Sequence, residues 1–383
     1  MHQILDTCQL TERRQAKNLI MEDPMIYNIA LTKLPGVGAK RARTLISYCG
    51  SAQVVFETPS MVAEVPGFSK GYARGIKDTD TYLKVAEKEL NFLEKKGIKP
   101  VFLSDEDYPR RLRNIPDSPI VLYKKGTADL NPARTIAIVG TRNATDYGRL
   151  VTEQIIDGLA AYNVTIISGL AYGIDVTAHR RAVELGLPTI GVMGTGFGQI
   201  YPSYHKGVAN QMLEKGGLLT EFSYEKGPER EHFPMRNRII SGMSDAVLVV
   251  ESAAKGGSMI TAELALGYDR DVFAVPGRVT DSFAAGCNQL IRHHKAFMVR
   301  DAQDVVRNMN WDVQKKSRQA SLFAALEGKE RDVVMIMKGR EASYTDELAI
   351  EAKMTSGEMA SYLLILELKG IVKSVPGNKY LLT

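Results

Sequence analysis

Between residues 131 and 300 the chain repeats one pattern: a short apolar run, a turn rich in glycine or polar residues, then a stretch of helical periodicity. The runs are TIAIVG (135–140), VTIISG (164–169), PTIGVMG (188–194), LLTEF (218–222), AVLVVES (246–252), DVFAVPG (271–277) and AFMVR (296–300). Most lack polar alternation, as strands covered on both faces do. Helical stretches such as DYGRLVTEQIIDGLAAY and IDVTAHRRAVELG supply the cover. The alternation predicts an α/β fold built on a Rossmann-like, doubly wound, mainly parallel sheet.

The flanks differ. Residues 1–104 predict a helical domain, punctuated at LPGVG and VPGFS. Pro109, Pro116 and Pro119 then keep the chain extended or turned, and PIVLYKKG predicts a short strand. The sheet domain is expected over 105–305 and a polar, partly basic linker over 306–320. Residues 321–383 read as helices followed by two short strands around Pro-Gly-Asn, the outline of a winged helix. The net charge of +5 is spread as +4 over 1–130, +2 over 131–320 and −1 over 321–383, so charge alone predicts an ordinary solvated surface. No apolar run approaches the ~20 residues of a membrane span, and no secretory signal is read at the start. Three scattered cysteines, Cys8, Cys49 and Cys287, form neither a disulfide framework nor a metal pattern and suit a reduced cytosol, so a cytoplasmic location is expected.

Two regions carry anion-binding signals. In LTKLPGVGAKRARTLISY, Gly36 and Gly38 precede a helix and Lys40, Arg41 and Arg43 follow, as in a helix–hairpin–helix motif. Glycines there allow close backbone approach to a phosphate, and the helix start offers free amide groups. A degenerate second copy is VPGFSKGYARGI, with Ser69 in place of the second glycine. Duplex or phosphate contact by Gly36, Gly38 and Lys40 stands beside a purely structural reading as glycine-capped turns.

The second region is the carboxyl edge of the sheet, where such folds bind ligands. The first turn has one glycine, Gly140, then Thr141, Arg142 and Asn143, and no G-x-G-x-x-G, which disfavours a dinucleotide cofactor. Arg142 instead places a guanidinium fork where phosphate oxygens would sit. Ser168 and Gly169 end the second run, followed by Gly173, Asp175 and His179; Lys206 follows the third. PEREHFPMRNRIISG adds Arg230, Phe233, Arg236, Asn237 and Arg238, and ESAAKGGSMITAELA adds Lys255. Phe233 is either core or a stacking platform for a base. Arg236 and Arg238 point apart if the segment is helical, so one is expected at the ligand and the other on a structural carboxylate. No Ser-His-Asp order, metal-ligand cluster or P-loop lysine is present, which predicts no enzyme, no cofactor and no metal.

Taken together, IAIVGTR with Tyr147-Gly148, IISGLAYGIDVTAH, VMGTG with Tyr201-Pro202, FPMRNRIISG, VVESAAKGGSMITA, VFAVPG and GCNQLI closely resemble the DNA-processing protein A (DprA/Smf) family over roughly 105–300. The resemblance implies a recombination mediator that binds single-stranded DNA without sequence preference, protects it and loads RecA recombinase in natural transformation. It implies that Arg142 contacts phosphate, that Ser168 and Gly169 do so through their amides, and that Arg230, Phe233 and the arginines of FPMRNR line the strand path. It also implies a homodimer through the end of the sheet domain, here near Leu290, Ile291 and His294. Two departures stand out: Gly-Gly-Ser at 256–258 where Ser-Gly-Ser is common, and RHHKA at 292–296 where a Gly-Ala pair is common. The alternative is a nucleoside-monophosphate phosphoribohydrolase-like enzyme, whose P-G-G-x-G-T-x-x-E signature can be half laid on KGGSMITAE, ending at Glu263. The winged helix is near neutral, with two acids and one lysine in SGEMASYLLILELKG, which favours protein contact over duplex reading.

Overall fold

The computed structural model describes residues 23–311 apart from 70, 73–75 and 77–78, and residues 326–382 apart from 327, 339, 341–342, 370 and 376–378. Cys8, most of the expected linker, part of the second hairpin copy and the Pro-Gly-Asn turn lie outside the described residues. The chain divides into two compact units, Met1–Asn308 and Met309–Thr383.

The first unit opens with a helical layer. Helix α1 (Pro24–Leu31) starts at Asp23, whose carboxylate accepts the Met25 N–H at 2.9 Å, with Pro24 preset for the first turn. It is followed by α2 (Ala39–Cys49), α3 (Ala52–Glu57), α4 (Pro59–Val62) and α5 (Thr79–Lys95). LPGVG and VPGFS make the same turn: Gly36 and Gly67 both hold positive φ, 69° and 85°. The second copy leans on the first, with the Tyr72 hydroxyl donating to the Pro35 carbonyl at 2.9 Å.

The sheet has nine strands in the order β1-β2-β6-β5-β4-β3-β7-β8-β9. Strand β1 (Lys99–Phe102) leads through α6 (Arg110–Arg113) to β2 (Val121–Gly126); the two pair antiparallel, and β2 pairs antiparallel with β6. Then come β3 (Thr135–Val139), α7 (Asp146–Leu159), β4 (Thr165–Ser168), α8 (Ile174–Glu184), β5 (Thr189–Val192), α9 (Lys206–Met212) and β6 (Gly217–Thr220). The chain next returns past its starting strand through α10 (His232–Met243), β7 (Ala246–Val249), α11 (Gly257–Gly267), β8 (Asp271–Ala274), α12 (Ala285–Arg292), β9 (Phe297–Met298) and α13 (Ala302–Asn308). All seven apolar runs thus contain a strand, and β3 to β9 are parallel. Strand β1 escapes sequence reading because Pro100 interrupts it. The proline is tolerated because β1 lies at the sheet edge, where one side needs no ladder. The sheet therefore starts at Lys99.

The layer and the sheet share one apolar core. Leu31, Leu45, Phe56 and Leu93 pack in the same cluster as Phe102, Val121 and Tyr123. A polar knot closes the seam. Glu89, 1% exposed, pairs with Lys33, accepts the Tyr224 N–H at 3.3 Å and accepts the Ser223 hydroxyl at 3.2 Å. Phe92 stacks on Tyr224 with ring centroids 4.1 Å apart. Arg43 donates to the Ile115 carbonyl at 2.7 Å and to Ser118 Oγ at 2.9 Å, so it is spent on the seam.

The second unit has α14 (Lys329–Met337), β10 (Ser343–Tyr344), α15 (Thr345–Glu351), α16 (Ser356–Leu368), β11 (Val372–Val375) and β12 (Lys379–Leu382), with sheet order β10-β12-β11. A capping box of Thr355 and Glu358 starts α16. Three helices with a terminal hairpin form the winged helix expected from the sequence. Among the described residues no helix is long and apolar enough to cross a membrane.

Removing one partner of a buried ion pair strands the other charge, at about 3–5 kcal/mol. Glu89→Ala is accordingly expected to lower unfolding free energy by about 3 kcal/mol in urea titration, against less than about 1 kcal/mol for the exposed Glu225→Ala.

Candidate nucleic-acid interface

Strand β3 sits between β4 and β7, so the chain leaves it in both directions. Loops diverge at such a switch point and open a crevice. Here the crevice is an open cavity of about 560 Å³, walled by Gly140, Thr141 and Arg142 after β3, Ala171 and Asp175 after β4, Tyr201, and Ser252, Ala253, Gly256, Gly257 and Ser258 after β7. Helix α10 covers it with Phe233, Arg236, Asn237 and Ile240. Their spacing of three, four and seven residues puts them on one helix face.

Arg236 forms the floor. It is 4% exposed, its Nη1 donates to the Val192 carbonyl at 2.9 Å, and its Nε has no partner. Burial pushes its pKa down to about 10, with Asp175 opposing and Arg142 reinforcing, so it stays charged at neutral pH. Gly169 makes room for it: a Cβ there would lie 1.6 Å from Arg236 Nη1. Burial also raises the Asp175 carboxyl above its usual range, with Arg236 opposing. Arg142 is exposed, and its guanidinium lies 5.3 Å from the Phe233 ring centroid. Phe233 is half-buried, lying against Gly194 and 5.7 Å from the Tyr201 ring. The cavity therefore joins cations to an aromatic wall, with Asp175 the one carboxylate in the lining.

Of the residues singled out from sequence, Arg142, Arg230, Phe233, Arg236 and Asn237 meet at this cavity. Others do not. Ser168 is fully buried and its hydroxyl donates to the Ile138 carbonyl at 2.6 Å, within the sheet. The Gly169 amide is spent on Asp175 Oδ2 at 3.1 Å, so Gly169 serves by clearance rather than by donating to a ligand. Arg238, on the opposite side of α10, pairs with Glu221. Lys206 and Lys255 are exposed outside the lining. At the expected dimer surface Leu290 is buried, 1% exposed, because it faces the sheet core, whereas Ile291 is half-buried and His294 exposed. Phe297 and Met298, missed by sequence reading, are 55% and 50% exposed on edge strand β9. Gly36, Gly38 and Lys40 are exposed, and Gly38 caps α2 without a side-chain bond. Glu251 turns inward to accept the Thr145 N–H at 3.0 Å and anchors the start of α7. Glu263, on which the glycosidic alternative depends, points away from the cavity to Lys295 at 2.7 Å.

The family model for DNA recombination-mediator protein A matches residues 99–310, and the model for the DprA winged helix domain matches 318–378. The chain belongs to the DprA/Smf family. It is 32% identical to Protein Smf of Synechocystis sp. over 92% of this chain and 98% of that one. It is 42% identical to the DNA processing protein DprA of Bacillus subtilis over 56% of this chain and 72% of that one. Among solved structures, DprA from Streptococcus pneumoniae superposes with a TM-score of 0.66 at 31% identity, covering 74% of this chain and 97% of that chain. DprA from Helicobacter pylori, described for its single-stranded DNA binding mode, gives 0.51 at 28% identity, covering 55% of this chain and 95% of that one. The DprA/Smf match spans the α/β sheet and the winged helix alike.

Two predictions follow from the floor of the cavity. Gly169→Ala forces the Arg236 guanidinium from its seat; overpacking of this kind costs about 1–3 kcal/mol, measurable as a lowered urea midpoint. Beneath the floor His179 is fully buried, with Nδ1 2.7 Å from Thr189 Oγ1. Burial, then Arg236 and His205, push its pKa from 6.5 down to about 3. The unfolded chain takes up a proton below about 6.5 that the folded chain refuses, so stability falls with falling pH, by at most about 1.4 kcal/mol per pH unit. His179→Gln is expected to flatten that slope between pH 6.5 and 5 in denaturant titrations.

Proposed function

We propose that this protein binds single-stranded DNA along the carboxyl edge of its sheet, without reading sequence. The observation that carries the reading is Arg236: a charged guanidinium at the floor of an open cavity, with an unpartnered Nε and the exposed Arg142 beside it. A buried cation lacking full hydrogen bonding is stabilised by an incoming anion, and backbone phosphates supply one at regular intervals. Phe233 and Tyr201 offer ring faces to bases, which stack without regard to identity. Asn237 is the lone side-chain amide in the lining, too little to read a base sequence. The printed description of the H. pylori relative, a single-stranded DNA binder, supports the same ligand.

The finer reading is a mediator that protects incoming DNA and loads RecA recombinase in natural transformation, acting as a homodimer in the cytoplasm. Family membership supports it, and the exposed Phe297, Met298 and His294 with the half-buried Ile291 lie along one short stretch of chain suited to a subunit contact. Duplex contact at Gly36, Gly38 and Lys40 is supported by their exposure. Leu364, Ile365 and Leu368, exposed on α16, support protein contact by the winged helix.

The test is a titration of labelled oligothymidine at several salt concentrations. Arg142→Ala should weaken binding about 10- to 100-fold, as loss of a charge-assisted contact does, and flatten the salt slope by about 0.7. Phe233→Ala should weaken binding by about 1–3 kcal/mol and leave the slope unchanged. Unaltered affinity in both variants removes the reading. RecA assembly on the coated strand should be faster than in the absence of the protein, and slowed by Arg142→Ala.

A further inference from the structure

Two tyrosines just beyond the cavity are exposed in a way that packing does not explain. Tyr204 is 78% exposed and Tyr172 46%. Neither phenol hydroxyl has a protein partner among the described residues. Both rings stand edge-on to one imidazole: His205 lies 4.8 Å from Tyr172 at 68° and 6.3 Å from Tyr204 at 64° between ring planes. That imidazole is a fixed pillar. His205 is 1% exposed, and its Nδ1 lies 2.8 Å from the Leu170 carbonyl oxygen, on the chain leaving β4.

The arrangement is continuous with the cavity. Ala171, next to Tyr172, and Tyr201, three residues before Tyr204, both line it. Lys206, directly after the pillar, is exposed. A solvent-exposed aromatic pair set on a fixed imidazole, beside an exposed ammonium group, matches one ligand chemistry: a planar base carried on an anionic backbone. A protein partner would be expected to cover an apolar patch. Here the neighbours Ser203, Lys206 and Gly207 are exposed and lack apolar side chains.

We infer that Tyr172 and Tyr204 form a second stacking shelf, which takes a nucleobase of the bound strand outside the central cavity, with Lys206 on the adjoining phosphate. The inference rests on the single-stranded DNA reading and extends it: the strand runs from the β3–β7 crevice across the ends of β4 and β5. The shelf also gives a role to Lys206, which the central cavity leaves unused.

The experiment uses the full chain and a set of oligothymidines, each with one 2-aminopurine, whose fluorescence is quenched by aromatic stacking. Two separate quenched positions are expected. Tyr172→Ala/Tyr204→Ala should abolish the outer one, keep the inner one and weaken binding of a long oligonucleotide about five- to tenfold. Oligonucleotides too short to span both positions should bind unchanged. Tyr172→Phe/Tyr204→Phe should restore the outer signal, because the ring and not the hydroxyl is required. Phe233→Ala should remove the inner signal alone. A single quenched position indifferent to the tyrosine variants overturns the shelf while leaving the central reading intact. Absence of quenching anywhere, with Arg142→Ala binding as tightly as the unaltered protein, overturns both.

Discussion

The site depends on keeping one guanidinium charged inside a folded core. Arg236 is held from below by the Val192 carbonyl at 2.9 Å and balanced by Asp175, whose own oxygen is tied to the Gly169 amide at 3.1 Å. Each charge partly offsets the cost of burying the other, though the two make no direct hydrogen bond. Gly169 is needed on steric grounds, since the space of its missing Cβ is where the guanidinium lies. The order of dependence runs from the glycine, through the seated guanidinium, to the shape of the crevice. Helix α10 completes it by presenting Phe233, Arg236 and Asn237 on one side and Arg238 on the other, where Arg238 pairs with Glu221.

Much of this was legible beforehand. Apolar runs mostly without polar alternation pointed to a parallel sheet, and all seven contain a strand of one, with edge strand β9 left exposed. The opposition of Arg236 and Arg238 follows from helical geometry alone. The cluster of Arg142, Arg230, Phe233, Arg236 and Asn237 was visible as residues, though not as one cavity. What escaped was whatever depends on which polar group consumes which. The Gly169 amide is the right atom for a phosphate, but Asp175 takes it first, and Ser168 is buried with its hydroxyl on the Ile138 carbonyl. Leu290 looks like interface until helix α12 turns it into the core. A proline hid edge strand β1. Tyr172 and Tyr204 carry no sequence signal, because their meaning lies in a shared neighbour, His205.

The glycosidic alternative illustrates how position overrules motif. KGGSMITAE retains two glycines and a glutamate, yet α11 turns Glu263 outward to Lys295, and the glycines open α11 at the cavity wall. The cavity is left with cations, two rings and one carboxylate already committed to two backbone amides. That is an environment for holding a polyanion, with no free carboxylate in the lining to act on a sugar.

The knot of Glu89, Lys33, Ser223 and Tyr224 has a reach beyond its own seam. Residues 223 and 224 belong to the segment that carries the chain from β6 into α10, the helix that supplies one wall and the floor of the crevice. The amino-terminal helices thus act as a buttress for that helix. Trimming them away would not simply shorten the molecule: it would unmoor one end of the span that carries Phe233 and Arg236.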